Sequence, residues 1–360
     1  MNAPTPEVQT PELTEAVKNL RFWVTIPAWA SLATALILSL VLPPDLLRRI
    51  SLLPFLVSLL FLGLPHGAWD HRVMSAAERA PLRLTFVAAF CVIYLALVAA
   101  YGALWPLAPT VAYLLFIAMS WLHWGQGDAA YLRIWGHART GRMASLLVWL
   151  VRGGAPIALP ILTHPQAFAQ AAADITSRFR DSSNLTPVGP ELWKQWLPPL
   201  TCRVGLFVLG ALVVLYLIRS FQSNGGWESA MRHKGKFRED AGEVGLLYTV
   251  FAFADPIFAI GIYFCLWHGL RHIARLLLLD DNLRSLCSGG YVGAAALRFG
   301  QQTLLIMGAS LSLLGGVYLY WAPTVQSVGG FVSLYLALIA ALTFPHFLLT
   351  IWLDARRPDG

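Results

Sequence analysis

Apolar residues along this chain come in long unbroken runs of about 20, separated by short polar connections, from Phe22 to Asp354. A helix of that length spans the hydrocarbon core of a bilayer. Outer-membrane strands would alternate polar and apolar positions, and these runs do not. They fall at about 22–43, 50–70, 83–105, 109–132, 143–163, 199–220, 242–254, 256–278, 296–321 and 328–353. The pattern predicts an all-α, polytopic transmembrane helix bundle of about ten spans. One straight helix over Glu243–Leu279 would measure roughly 54 Å against a core of about 30 Å. The pair Asp255-Pro256 interrupts that stretch, and proline breaks or kinks a helix. We therefore expect a Pro-broken pair there, a short segment followed by a full span.

Charge gives the bundle an orientation. Basic residues concentrate after span 2 (Arg72, Arg79, Arg83), span 4 (Arg133, Arg139, Arg142) and span 6 (Arg232, Lys234, Lys236, Arg238). They recur after span 8 (Arg275, Arg284) and at the C-terminus (Arg356, Arg357), while the connections after spans 3 and 9 carry none. Positive connections mark the cytoplasmic side, so both termini are expected there; Arg48, Arg49 and the mixed connection after span 5 run against the pattern. Residues 1–21 read as a polar cytoplasmic tail without the basic start and cleavage site of a signal peptide. Residues 22–354 read as one transmembrane domain and 355–360 as a second tail. Within the domain, 164–198 reads as an extracytoplasmic interfacial loop, with the amphipathic AFAQAAADITSRF and the tryptophan-anchored ELWKQW.

Composition agrees with the class. The chain is 57% hydrophobic and 12% charged, where soluble domains carry roughly 25%. Its net charge of +7 lies in the connections, facing lipid headgroups rather than nucleic acid. The four cysteines are far apart and form no C-x-x-C, which argues against a disulfide framework or zinc knuckle.

The candidate chemistry lies in histidine. His71, His137, His164 and His233 fall at helix ends or in connections; His66, His123, His268, His272 and His346 fall within or at the edge of spans. A lone histidine of this kind usually packs and bonds a carbonyl, but ionisable groups inside a membrane tend to mark a site. His66, His123, His268 and His346 all sit on even-numbered spans, roughly 12 to 18 residues along, which puts them at one depth in the cytoplasmic half. Imidazole is the commonest nitrogen ligand for iron, zinc and copper. In CLWHGLRHIA, His268 and His272 lie one turn apart on one helix face and can supply two ligands, with one each from His66 and His123. Asp70, four residues after His66, is a candidate to orient its ring. Asp128 reads as either a partner or a solvated helix end, and Arg271 as a cytoplasmic snorkel. Histidines without cysteine, enclosed by membrane helices, suit Fe(II) with open positions for oxygen.

The segments GLPHGAWDH, WLHWGQGD, LWHGLRHI and FPHFLLTIWLD, in this order in a polytopic chain, resemble the Brp/Blh family of membrane β-carotene 15,15′-dioxygenases. The resemblance extends from about span 2 to the C-terminus. It implies cleavage of the central double bond of β-carotene with O2 to give two molecules of retinal, at one non-haem Fe(II) per chain, in a bacterial or archaeal inner membrane, with a functional link to a microbial rhodopsin. The ligands would be His66, His123, His268 and His272, with Asp70 and His346 beside them. Trp121, Trp124, Phe264, Trp267 and Phe344 flank the histidines and are candidates to line a tunnel for the carotenoid. Two other readings compete. A di-iron histidine-box desaturase or hydroxylase would need about eight histidines in characteristic groups and two irons. A non-catalytic carotenoid carrier or transporter would show paired broken helices, and this chain has one break.

Overall fold

The computed structural model describes residues 10–78, 80–136, 142–177, 179, 190–223, 236–321 and 328–356, and among these there is no strand. The first helix, α1 (Pro11–Val41), starts with Thr10 accepting a hydrogen bond from the Leu13 amide and with proline in its first turn, where a missing N–H costs nothing. It begins well before the apolar run at Phe22. The extra turns are held because Ala16 and Leu20 belong to the same buried cluster as Leu283 and Cys287, and Asn19 donates to the Cys287 carbonyl at 3.0 Å. Part of the expected tail is therefore helix; residues 1–9 and 357–360 lie outside the described residues.

The second apolar run is built in pieces: α2 (Pro44–Ile50), α3 (Leu53–Ser58), a π-helical stretch at Leu59–Gly63, and α4 (Leu64–Ala68), followed by α5 (Asp70–Glu78). Next come α6 (Leu84–Gly102), α7 (Leu104–Leu107) and α8 (Pro109–Ile134). The fifth run is divided into α9 (Arg142–Gly154) and α10 (Ala158–Thr163), with Pro156 in the gap. Within the interfacial segment lie α11 (Pro165–Ser177), whose alanine face is buried, and α12 (Pro190–Trp196); residues 180–189 are outside the described set. Then follow α13 (Pro199–Ser223), α14 (Lys236–Phe253), α15 (Pro256–Ile262), a second π stretch at Tyr263–Gly269, and α16 (Leu270–Leu279). The break expected at Asp255-Pro256 is present, and Asp255 caps α15 by accepting from the Phe258 amide at 2.9 Å. Finally come α17 (Asp281–Ser288), α18 (Val292–Trp321) and α19 (Val328–Arg356).

Among the described residues, seven helices are long and apolar enough to cross a membrane: Pro11–Val41, Pro44–Ala68, Leu84–Leu107, Pro199–Ser223, Pro256–Leu279, Val292–Leu319 and Leu334–Arg356. Long α8 is not among them. His123, Gln126 and Asp128 lower its hydropathy, and all three are buried in the protein. Its polar face points inward, the reverse of a soluble amphipathic helix. Outward, α1, α6, α13 and α18 expose large apolar side chains such as Leu40, Val92, Phe207 and Leu305, as lipid-facing helices do.

Candidate metal centre and its cavity

Five histidines meet in the interior. His66 from α4, His123 from α8, His268 from the second π stretch, His272 from α16 and His346 from α19 are each 3–5% exposed. Their ring centres are 5.0 Å apart for His66–His272, 5.2 Å for His66–His346 and 4.9 Å for both His123–His268 and His123–His346. His272–His346 is 5.0 Å, and His66–His268, His268–His272 and His123–His272 are 5.9, 6.0 and 6.1 Å. The structure brings these five rings together, and His346, expected beside the group, stands within it.

These spacings can be compared with a metal shell. With a metal–nitrogen bond of about 2.1 Å, imidazole centres sit about 3.2 Å from the ion; neighbouring rings at right angles are then about 4.6 Å apart and opposite rings about 6.5 Å. The observed distances fall inside that range. The free nitrogens also suit coordination. The Leu62 carbonyl, 2.7 Å from His66 Nδ1, accepts the proton there and leaves Nε2 as a lone-pair donor. Asp70 holds His346 Nδ1 at 2.8 and 2.9 Å, and His346 Nε2 is buried with no protein partner among the described residues. His268 Nε2 is likewise buried and unpartnered. Carboxylate-to-imidazole bonding of this kind fixes the tautomer of a metal-binding histidine. Among the described residues no three side chains of ligand type are gathered closely enough to hold an ion as they stand. The donor set and ring spacing fit a transition metal, and closing on one requires ring movement.

The local backbone explains how the rings converge. The first π stretch leads into α4, which carries His66, the second contains His268, and the two pack on each other. A Cβ on Gly269 would lie 3.2 Å from Leu62 Cβ, and one on Gly63 would lie 3.3 Å from the Phe264 ring. Glycine at these two positions lets the two π stretches approach closely. On the other side, a Cβ on Gly127 would meet the His268 ring at 3.3 Å, so α8 also abuts the imidazole directly.

Asp70 and Asp128 have different partners from those expected. Asp70 orients His346, not His66, and Tyr94 Oη lies 3.1 Å from its carboxylate. Asp128 is no solvated helix end: it is 2% exposed and accepts from Arg152 at 2.9 Å, Trp267 Nε1 at 3.0 Å and Arg271 at 3.1 Å. Arg271 does not snorkel. It pairs with Asp128 and Glu243, with its guanidinium 3.7 Å from the Trp267 ring and 3.9 Å from Tyr131. Arg152 completes the network, reaching Glu243 at 2.7 Å and Asp240 at 2.6 Å. A buried arginine needs such carboxylates, because an uncompensated charge there is strongly destabilising. The rule that drew attention to buried histidines applies equally to Arg152 in LLVWLVRGG, and it would have found this network.

A cavity of about 1010 Å³ opens from the histidines, walled by His66, His123, His268 and His346. Its other walls are mostly apolar, from α3, α6, α8, α15, α18 and α19. Trp124 and Phe264 line it, and Phe264 stacks on His268 at 6.3 Å and 11°. Trp121, Trp267 and Phe344 do not line it. Trp121 donates to the Leu150 carbonyl, Trp267 serves the ion network, and Phe344 stacks on Tyr101 at 5.6 Å.

Comparison with known proteins follows the same residues. The family model described as beta-carotene 15,15'-dioxygenase matches residues 57–354, a span containing all five histidines. The probable beta-carotene 15,15'-dioxygenase Blh of Halobacterium salinarum is 34% identical over 311 residues, covering 84% of each chain. The probable beta-carotene 15,15'-dioxygenase Brp of the same species is 28% identical over 319 residues, 84% of this chain and 83% of that one. The beta-carotene 15,15'-dioxygenase of uncultured marine bacterium 66A03 is 24% identical over 301 residues, 82% of this chain and 90% of the relative. No solved structure matches. A helical membrane-type bundle with a buried histidine group beside an apolar cavity, matched over most of its length, belongs to the beta-carotene 15,15'-dioxygenase family.

Proposed function

We propose that this chain cleaves the central double bond of β-carotene with O2, giving two molecules of retinal, at one non-haem Fe(II) held by histidines inside the membrane. The observation that carries the reading is five buried imidazoles from separate helical segments, at metal-shell spacing, beside a large apolar cavity in a member of this family. His66, His123, His268 and His272 would bind the iron. His346 has the unpartnered Nε2 and carboxylate-held Nδ1 of a further candidate.

When bound, iron with open positions supplies the activation of O2. The protein's part is positional. Leu62 and Asp70 keep protons on the Nδ1 atoms of His66 and His346, so that each Nε2 lone pair is free. Trp124 and Phe264 place flat apolar surface beside the histidines, matching a polyene. The apolar walls exclude water, which favours an apolar substrate by about 25 cal/mol per Å² buried. Both oxygen atoms can enter product, so no reductase partner is required. The charge pattern of the connections supports ten crossings with both termini in the cytoplasm and residence in the cell membrane of a bacterium or archaeon.

Expression in β-carotene-producing bacteria tests this reading. The orange colour should fade while retinal accumulates. Undiminished β-carotene alongside folded, iron-bound protein would favour a carrier or another carotenoid substrate.

A further inference from the structure

Exposed side chains line the cavity beside the histidines on several helices, Leu56 on α3 and Ile257 on α15 among them. Helix α6 packs on α19, and α18 packs on α4, but among the described residues α6 and α18 have no extensive interface with one another. Both still line the one cavity, through Cys91 and Leu95 on α6 and Ala309 and Leu313 on α18. Leu95 and Leu313 are also 53% and 43% exposed, and Ala309 is exposed as well. A side chain that both walls an interior cavity and faces outward marks a mouth. The helices on either side are candidate membrane spans with 11% and 6% of their apolar windows buried. The surroundings of the mouth are therefore hydrocarbon, not water.

We propose that the gap between α6 and α18 is a lateral portal through which a long apolar polyene passes from the bilayer to the histidines. The proposal rests on the carotenoid-cleaving reading above. Its physical basis is the absence of a hydration step. A polyene dissolved among lipid tails gains nothing by crossing water, and each Å² of apolar surface exposed on the way would cost about 25 cal/mol. Passage between two loosely covered spans keeps the ligand in apolar surroundings throughout. Elsewhere on the wall the corresponding seam is closed, since α3 and α15 pack directly on each other. Ala309 is the position where added bulk would narrow the mouth with least disturbance, because its surface is free rather than buried in the core.

The test uses full-length, iron-loaded protein in lipid vesicles containing β-carotene, with initial rates of retinal formation. Ala309→Trp should lower the rate about tenfold or more while leaving iron content and unfolding midpoint unchanged. Leu305→Trp, on the same helix at an 82% exposed position that does not line the cavity, should stay near the wild-type rate. As a second arm, Ala309→Cys supplies a thiol on the wall of the same cavity as native Cys91; Cys202, Cys265 and Cys287 are buried. A reducible bifunctional maleimide spanning the two should block cleavage, and dithiothreitol should restore it. If Ala309→Trp fails to fold, the bridged protein decides. Wild-type rates from both the tryptophan variant and the bridged protein would overturn the portal while leaving the cleavage reading intact. Iron-loaded wild-type protein that leaves β-carotene whole would defeat the cleavage reading itself.

Discussion

At the residue scale, the informative bond is the one from His346 to Asp70. With Nδ1–H held by the carboxylate, His346 offers Nε2 toward the other rings. Asp70→Asn keeps the shape but allows the amide to donate, which favours the tautomer carrying its proton on Nε2. Supporting partners of this kind are worth about 10–100-fold in metal affinity. We therefore expect Asp70→Asn to weaken iron binding by about that factor in chelator competition, with little change in unfolding midpoint. Unchanged affinity would remove His346 from the metal-binding group. In the sequence, depth marked His66, His123, His268 and His346, helical spacing added His272 to His268, and the family resemblance put His346 beside the ligands rather than among them. Which ring Asp70 serves was not legible. Helical spacing places Asp70 below His66 on the same helix, but the chain breaks between α4 and α5 at Trp69, and that break turns the carboxylate toward α19.

At the element scale, the site depends on helices that approach more closely than side chains normally allow. A Cβ on Gly125 would lie 2.3 Å from the Trp149 carbonyl oxygen, and one on Gly153 would lie 2.0 Å from the Trp121 carbonyl oxygen. The pair lets α8 and α9 meet backbone to backbone, as small residues do between membrane helices. That contact carries Arg152 to Asp128, and Asp128 in turn holds Trp267 and Arg271, the residues preceding His268 and His272. Gly153→Ala should therefore separate α9 from α8 and strain a buried ion network, costing about 3 kcal/mol. Thermal unfolding in detergent checks it, with Gly210→Ala as the comparison because nothing lies within 4 Å of a Cβ there. Equal midpoints for the two variants would contradict the close-approach argument. Helix type was readable from apolar run length, and the break at Asp255-Pro256 from its proline within an overlong run. The two π stretches were not, because periodicity in LLFLG or YFCLWHG does not distinguish an α-helical turn from a π turn when every neighbour is apolar or aromatic. Arg271 was misread for a related reason: helical spacing turned it away from the histidines, and only the packed neighbours show that this side faces more protein.

At the scale of the whole molecule, polarity is inverted. Large apolar side chains cover the outside, while Arg152, Asp128, Asp240, Glu243, Arg271 and the histidines lie within. The inversion explains why α8, the helix contributing His123 and Asp128, is long yet not among the span candidates, with its polar side chains buried. It also fits the arrangement of the site, a mostly apolar cavity with imidazoles on its wall. These imidazoles are proposed to hold a single catalytic iron. The most direct measurement is iron per purified chain, taken beside retinal formation, for wild type, His268→Ala and His272→Ala. One iron per wild-type chain, lost together with retinal formation in both variants, is the predicted result. Two irons per chain, or full iron and activity in either variant, would contradict it.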